Sequence, residues 1–349
     1  MSANPAPPLQ HAIRRLAAGA SLSAEESRSA FDAVMSGEAT VAQIASLLVG
    51  LRVKGETAEE VAGAAAALRG AMVQLPAERP EELVDTCGTG GGAIGTFNIS
   101  TAAALLAAGA GVRVAKHGNR SFTSQCGSAD VLEALGVPIE VSIDVMERAL
   151  RDAGIVFMFA PLMHPAMRHV GPVRRELGIP TVMNIVGPLA NPARAGRQVV
   201  GVADARRVPL IAGALLALGT EHALVVHGEP GMDEISPLGP TQVIEIRDGR
   251  MREWSIEPAQ FGLGTGRAEE LAGGPPADNA AAVRAVLAGN APPTATAAVL
   301  LNAAAALFVS TSGTGSFEDA VEMARSALDA GAGLAALERL RRAFAPTTR

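Results

Sequence analysis

Apolar positions follow a helical period over residues 9 to 74, then give way to short apolar runs separated by helix-length segments. In the first part, Ser23 is followed three positions on by Glu26, Thr40 by Gln43 and Thr57 by Glu60. Each pair precedes an apolar-periodic run. This is the spacing of a capping box, in which the two side chains satisfy free N–H groups of a first helical turn. Leu75-Pro76-Ala77-Glu78-Arg79-Pro80 breaks the period and reads as a linker. Beyond it the pattern predicts strands at Val84–Cys87, Val112–Lys116, Ile155–Phe159, Val199–Val202 and Ala223–Val226, alternating with helices. Such alternation implies a mainly parallel sheet covered on both faces. Gln242–Ile246 and Met251–Ser255 flank Asp248-Gly249 and predict a hairpin. Helices resume near Asn279 and run to the end, one of them starting at Ser316 and Asp319. The expected fold class is α/β: a small helical domain over 1–75, then a larger domain with a mainly parallel central sheet over 81–349.

Composition narrows the function classes. With 349 residues the chain has room for two domains, or one large domain with a helical appendage. A net charge of −6 and a pI near 5.6 argue against nucleic acid as the main partner. The mean hydropathy of +0.25 comes from alanine rather than from a membrane span. The longest apolar run, Ala297 to Val309, is interrupted by Asn302 and falls short of the ~20 residues a spanning helix needs. MSANPAPPLQHAIRR does not read as a secretory signal. Two cysteines, Cys87 and Cys126, give no disulfide framework and fit a reducing compartment. A cytoplasmic protein with no membrane or nucleic-acid partner is the expectation.

The chemistry is densest between Asp85 and Asp130. A glycine run follows the first predicted strand, and Thr96, Asn98, Ser100 and Thr101 cluster where an Ala/Leu helix begins. The second strand delivers a basic loop, Lys116-His117-Gly118-Asn119-Arg120. Glycines let backbone N–H groups close on an anion, and a helix N-terminus adds free donors and partial positive charge. Two such loops on neighbouring strands suit a phosphorylated substrate. Gly90 to Gly95 also satisfies the dinucleotide fingerprint, but that motif wants an acidic residue at the end of the second strand. Lys116-His117 has the wrong charge for a ribose diol and the right one for phosphate. A P-loop lacks its Gly-Lys-Ser/Thr. A tight turn with no ligand remains the plain alternative, against which the polar cluster counts, since a helix needs only one N-cap.

Two further segments follow predicted strands. Asp233-Glu234 lies in a Gly/Pro-rich loop, and hard carboxylate oxygens beside a phosphate suit Mg²⁺. A solvated acidic turn is the commoner fate of such a pair. Its place after a sheet strand, where open α/β folds gather ligands, favours the metal. Arg174-Arg175 could bind a carboxylate through two parallel hydrogen bonds, though a surface arginine is more usual. The six histidines show no metal spacing, and no general base stands out.

GTGG at 88–91, TFNIST at 96–101, KHGNRS at 116–121, GSADVLEALG at 127–136, HPAM at 164–167, NIVGPLANP at 184–192 and DEIS at 233–236 together resemble the anthranilate phosphoribosyltransferases. The likeness extends to GEATVAQIASLLVGLRVKGET near the start and LNAAAALFV near the end, so it covers nearly the whole chain. It implies the nucleoside phosphorylase/phosphoribosyltransferase type of fold and a homodimer formed through the helical parts. The implied reaction joins anthranilate to 5-phosphoribosyl 1-pyrophosphate (PRPP), with release of pyrophosphate, in tryptophan biosynthesis.

The resemblance assigns roles by position. Gly88, Gly91, Gly92 and Thr96 would wrap the pyrophosphate, with Asn98, Ile99, Ser100 and Thr101 at the helix mouth. Lys116, His117, Gly118, Asn119, Arg120, Ser121, Phe122, Thr123, Ser124 and Ser128 would hold the remaining phosphate and ribose groups. Ser100, Asp233 and Glu234 would bind two Mg²⁺ ions. Gly88, Asn119 and Arg174 would meet anthranilate, with His164 and Pro188 lining its channel. No base is needed, because an aryl amine is already unprotonated at neutral pH. Lys116 would act electrostatically on the leaving group. Two positions depart from the family pattern. Gly92 stands where Asp is usual, implying a changed Mg²⁺ dependence, and Gln125 stands where Lys is frequent, removing a positive charge. Pyrimidine nucleoside phosphorylases share the fold but would need a nucleobase pocket. A silent nucleic-acid-binding relative would need a basic groove, against the net charge.

Overall fold

The computed structural model describes residues 7–121, 125–264, 266–310 and 315–344. Four helices come first: α1 (Pro8–Ala17), α2 (Ala24–Met35), α3 (Val41–Lys54) and α4 (Ala58–Gly70). The three capping boxes form as the spacing predicts, with Ser23, Thr40 and Thr57 each accepting from the backbone N–H three residues on. Glu60 does more than cap. Fully buried, it accepts from the backbone N–H groups of Leu22 and Thr57 and pairs with Lys54 Nζ at 2.9 Å, tying α2, α3 and α4 together.

The second part alternates β1 (Val84–Gly88), α5 (Ile99–Gly109), β2 (Val114–Gly118), α6 (Ser128–Ala134), α7 (Ile143–Asp152) and β3 (Ile155–Phe159). It continues with α8 (Ala160–Met163), α9 (Met167–Leu177), β4 (Arg197–Gly201), α10 (Val208–Ala217) and β5 (His222–Gly228). The hairpin β6 (Thr241–Arg247) and β7 (Arg250–Ile256) follows, then α11 (Pro276–Leu287), α12 (Pro293–Val309), α13 (Phe317–Asp329) and α14 (Ala332–Phe344). The seven strands form one sheet in the order β3-β2-β1-β4-β5-β6-β7. All pairings from β3 to β5 are parallel, and the hairpin adds two antiparallel strands at one edge.

Alternate strand residues feed two separate cores, as the pleat requires. Val199, Leu224 and Val226 join α5, α12, α13 and α14 on one face, whereas Val200, Ala223 and Val225 join α10 on the other. The helices α1–α4 belong to this second core, α4 packing on α10 and α9 packing on α2 and α3. No described helix is long and apolar enough to cross a membrane.

The sequence places each strand to within two residues, but β2 starts at Val114 rather than Val112 and ends later than expected. The strand runs on through Lys116 and His117 to Gly118, so the two basic side chains belong to the sheet rather than to a loop, and both are buried. A pleated strand sends neighbouring side chains to opposite faces, which determines what each can do.

Candidate active site

β1 and β4 end side by side in glycine, with Gly88 opposite Gly201. A Cβ at Gly88 would come within 2.6 Å of Asp233 Oδ2, and one at Gly201 would overlap the Asp233 carbonyl. These two glycines let the loop after β5 cross the strand ends. Beyond Gly88 the chain turns through Gly90 and Gly91, whose φ angles of 71° and 79° are natural only to glycine.

Both acidic side chains of that loop meet backbone donors. Asp233 Oδ2 accepts from Gly90 N–H at 2.8 Å, and Glu234 Oε1 accepts from Ser100 N–H at 3.2 Å, in the first turn of α5. The glycine turn and the helix N-terminus, read as parts of one anion-binding loop, each donate to one of two adjacent carboxylates. Burial pushes Asp233 up, and burial plus the neighbouring Asp233 pushes Glu234 up to about 8. Lys116 opposes this from below. Its Nζ donates to the Thr86 carbonyl and lies 3.3 Å from Ser100 Oγ, while burial pulls its pKa down against the pull of Asp85 and Glu234. Two crowded carboxylates of raised pKa beside a hydroxyl form an all-oxygen donor set suited to Mg²⁺. Among the described residues no group of three His, Cys, Asp or Glu comes together, so substrate oxygens and water would supply the other ligands.

On the opposite face of β2, His117 stacks at 4.9 Å and a 55° tilt against His164, which follows α8. Both rings are buried, His117 against the Gly187 backbone and His164 against the Ala190 backbone. Burial pulls His117 down to about 3, helped by His164 and Lys116, and pulls His164 down to about 4, so both rings are neutral at pH 7. The Pro188 carbonyl accepts from Gln198 Nε2 at 2.9 Å, fixing its turn against β4.

The remaining sequence-derived positions divide into four groups. Asn119, Arg120, Ser121 and Ser128 share the second loop: Ser128 Oγ donates to the Asn119 carbonyl at 3.3 Å, and Ser121 N–H donates to Asp130. Arg120 pairs with Asp130 and Glu133 and lies over the Phe159 ring at 5.6 Å. Phe122, Thr123 and Ser124 lie outside the described residues. Ile99 and Thr101 point into the core, and Thr96 pairs with Ala272 beside the glycine turn. The Arg174 side chain, half-buried on α9, has no hydrogen bond or ion pair among the described residues, and none ties it to His164, Pro188 or Asn119.

Several residues essential to this geometry escape the sequence reading. Asp85 is fully buried in β1. It accepts from His117 N–H at 3.1 Å and from Asn191 Nδ2 at 2.7 Å, and the same nitrogen donates to the Ala115 carbonyl at 2.8 Å. This latch fixes β1, β2 and the turn carrying Pro188. Asn98, which the sequence does place at the head of α5, makes no capping bond, and its link to Asn279 is the part that escapes. Its amide instead donates to the Cys126 carbonyl and accepts from Asn279 Nδ2 at 2.9 Å, joining the two anion loops. The available signals were Asp85, three positions before GTGG, and Asn191 inside NIVGPLANP, with no chemistry visible in isolation.

Comparison with known proteins supports the same picture. The glycosyl transferase family matches in two parts, its helical bundle domain over residues 10–72 and its a/b domain over 80–334. An anthranilate phosphoribosyltransferase of Roseiflexus sp. (strain RS-1) is 49% identical over 334 residues, which are 95% of this chain and 97% of the relative. The crystal structure of the enzyme from Thermus thermophilus superimposes with a TM-score of 0.90 at 42% identity, covering 95% of this chain and 99% of that one. The Saccharomyces cerevisiae enzyme, in complex with PRPP and Mg, superimposes with a TM-score of 0.85 at 28% identity, covering 96% and 97%. With its sheet order, its paired anion loops and this likeness along nearly its full length, the chain belongs to the anthranilate phosphoribosyltransferase family.

Proposed function

We infer that these residues carry out the family's reaction, transfer of the 5-phosphoribosyl group of PRPP to the amine of anthranilate with release of pyrophosphate. This is the second step from chorismate to tryptophan. The observation that carries the assignment to this site is the convergence of the glycine turn, the α5 N-terminus, two buried carboxylates and Lys116.

The difficult event is departure of pyrophosphate from the ribose carbon, which leaves an oxocarbenium-like centre. Gly88, Gly91, Gly92 and Thr96 line the path of the leaving diphosphate, and Lys116 places a positive charge beneath it. Asn119, Arg120, Ser121 and Ser128 hold the second phosphate-bearing end, and Arg120 reaches it by releasing Asp130 and Glu133. Ser100, Asp233 and Glu234 would hold two Mg²⁺ ions, which when bound neutralise charge growing on the diphosphate. For this, Asp233 turns away from Gly90 N–H and leaves that donor to the substrate. His117, His164 and Pro188 present a neutral wall on the other side of β2, suited to an aromatic ring. Arg174 meets the anthranilate carboxylate after α9 shifts or the substrate reaches outward. Holding the amine in line behind the anomeric carbon supplies the rest of the rate by orientation, with inversion as the outcome.

A homodimer through the helical part fits the large apolar side chains left exposed there, Val41 and Val53 on α3 with Leu162 on α8 and Ile179 after α9. The enzyme's place is the cytoplasm.

The direct test is loss of anthranilate fluorescence on adding PRPP, with and without Mg²⁺. Metal-dependent loss that disappears in Asp233→Ala/Glu234→Ala establishes reaction and site together. Full activity in that double variant would reject the site.

A further inference from the structure

Asn302 is the polar residue that breaks the apolar run of α12, and it is 4% exposed at the centre of that helix. Packing between apolar helices gives no reason for an amide there, and a buried amide persists only where it is hydrogen-bonded. Asn302 bonds one residue twice. Nδ2 donates to the Ile235 carbonyl at 2.9 Å, and Oδ1 accepts from Ile235 N–H at 3.0 Å. A third bond, from Nδ2 to the Ala298 carbonyl at 2.9 Å, fixes the amide to its own helix.

Ile235 follows Glu234 directly, is fully buried and lies outside any strand. Asn302 gives it the pair of bonds that an adjacent strand would give. The Ile235 N–H belongs to the same peptide plane as the Glu234 carbonyl, so holding it fixes one side of the Glu234 Cα. On the other side, the Asp233 backbone rests against Gly88 and Gly201. Asn302 also lines, with Thr86, Ser100 and Glu234, the small gap beneath the carboxylates.

We propose that Asn302 is a positioning residue for the divalent-cation site, holding the Glu234–Ile235 peptide so that the Asp233 and Glu234 carboxylates converge. It touches neither metal nor substrate and acts through the Ile235 backbone. The inference rests on the reading of Asp233 and Glu234 as metal ligands. Residues that orient metal ligands typically cost 10–100-fold in metal affinity when removed, so a loss of about 10-fold is expected here.

The experiment follows Mn²⁺ binding by electron paramagnetic resonance with PRPP saturating, in Asn302→Asp, Asn302→Ala and Leu301→Ala. Asn302→Asp keeps the size and the bond from Ile235 N–H but, when ionised, cannot donate to the Ile235 carbonyl. Leu301 is fully buried on the same helix and serves as the packing control. Both Asn302 variants should bind Mn²⁺ about 10-fold more weakly, with the Mg²⁺ midpoint of activity raised in parallel and the KM for anthranilate unmoved. Leu301→Ala should lose thermal stability and keep its Mn²⁺ affinity. Mn²⁺ binding within about twofold of the parent in both Asn302 variants would overturn the proposal, leaving Asn302 as a fold element. If neither variant folds, amide exchange in the unsubstituted protein decides: Ile235 must exchange far more slowly than Gly239 of the same loop, and equal rates overturn the inference. A double Asp233→Ala/Glu234→Ala variant that still binds Mn²⁺ would instead reject the metal reading itself.

Discussion

Lys116 and His117 are neighbours in β2, both buried, yet the pleat sends them into different surroundings. On the Lys116 side each charged group has a partner: Asp233 has Gly90 N–H, Glu234 has Ser100 N–H, and Lys116 has the Thr86 carbonyl. On the His117 side the two imidazoles are buried against the backbone of Gly187 and Ala190, and both rings are neutral at pH 7. The difference separates two ways of preparing a binding surface. On the proposed reading, the groups that handle phosphate and metal charge are pre-bonded to backbone donors, while burial, and for Glu234 also the neighbouring Asp233, raises the carboxylate pKa values. The groups proposed to face an aromatic ring are instead kept neutral by burial.

Four changes would break or sharpen that contrast. The largest effect is expected from Lys116→Met, which on the proposed reading removes the cation beside the leaving group. kcat/KM for PRPP should fall by about 10²–10³, the cost of losing one oxyanion-stabilising donor, and steady-state kinetics would show it. A loss under about tenfold would mean that the side chain serves only the fold. His164→Ala should act on the other side alone, raising the KM for anthranilate about tenfold while leaving that for PRPP unchanged. Equal changes in both constants would dissolve the distinction between the faces.

The histidine pair also gives a pH effect. In the unfolded chain both rings titrate near 6.5, but in the folded protein near 3 and 4. The unfolded state therefore binds more protons over this window, and stability is lost as pH falls from about 6.5 towards 4. Each ring contributes a slope of up to about 1.4 kcal/mol per pH unit. His164→Gln should flatten the denaturant-derived stability profile between pH 6 and 4.5 by about one such slope, and an unchanged slope would contradict the burial argument. The smallest effect is expected from Gly92→Asp. A Cβ at Gly92 lies 3.3 Å from Asp233 Oδ1, so the new carboxylate joins the acidic pair. Without metal, like-charge crowding should lower the melting temperature, and the Mg²⁺ midpoint of activity should shift down by a few-fold. An unaltered Mg²⁺ profile would show that the Gly92 departure carries no consequence.

Much of this was legible in the sequence because it depends on local spacing. The three capping boxes, the strand Ile155–Phe159 and the Asp248-Gly249 turn follow from residues within a few positions of one another. The glycine turn and Asp233-Glu234 were legible as types of site, since glycine near a helix start and paired carboxylates have few uses. Arg174 illustrates the opposite case: its chemistry was visible, but its position on α9 leaves its side chain unbonded among the described residues. Asp85, Asn191, Asn279 and Asn302 were not legible as site residues. Their partners lie tens to hundreds of positions away, and an isolated buried amide or carboxylate carries no sign of what it will meet.

By itself, then, the sequence determined the order of helices and strands and the mainly parallel sheet, and marked the segments proposed to bind anions, because period, capping and turn chemistry act over a few residues. Only the tertiary structure decided that the glycine turn and the α5 N-terminus share one carboxylate pair, that Lys116 and His117 face apart, and that Asn302 bonds Ile235 across 67 positions of chain. The physical reason is that hydrogen bonds and burial act on distance in space, and chain separation does not encode that distance until the sheet brings β1, β2, β4 and β5 together.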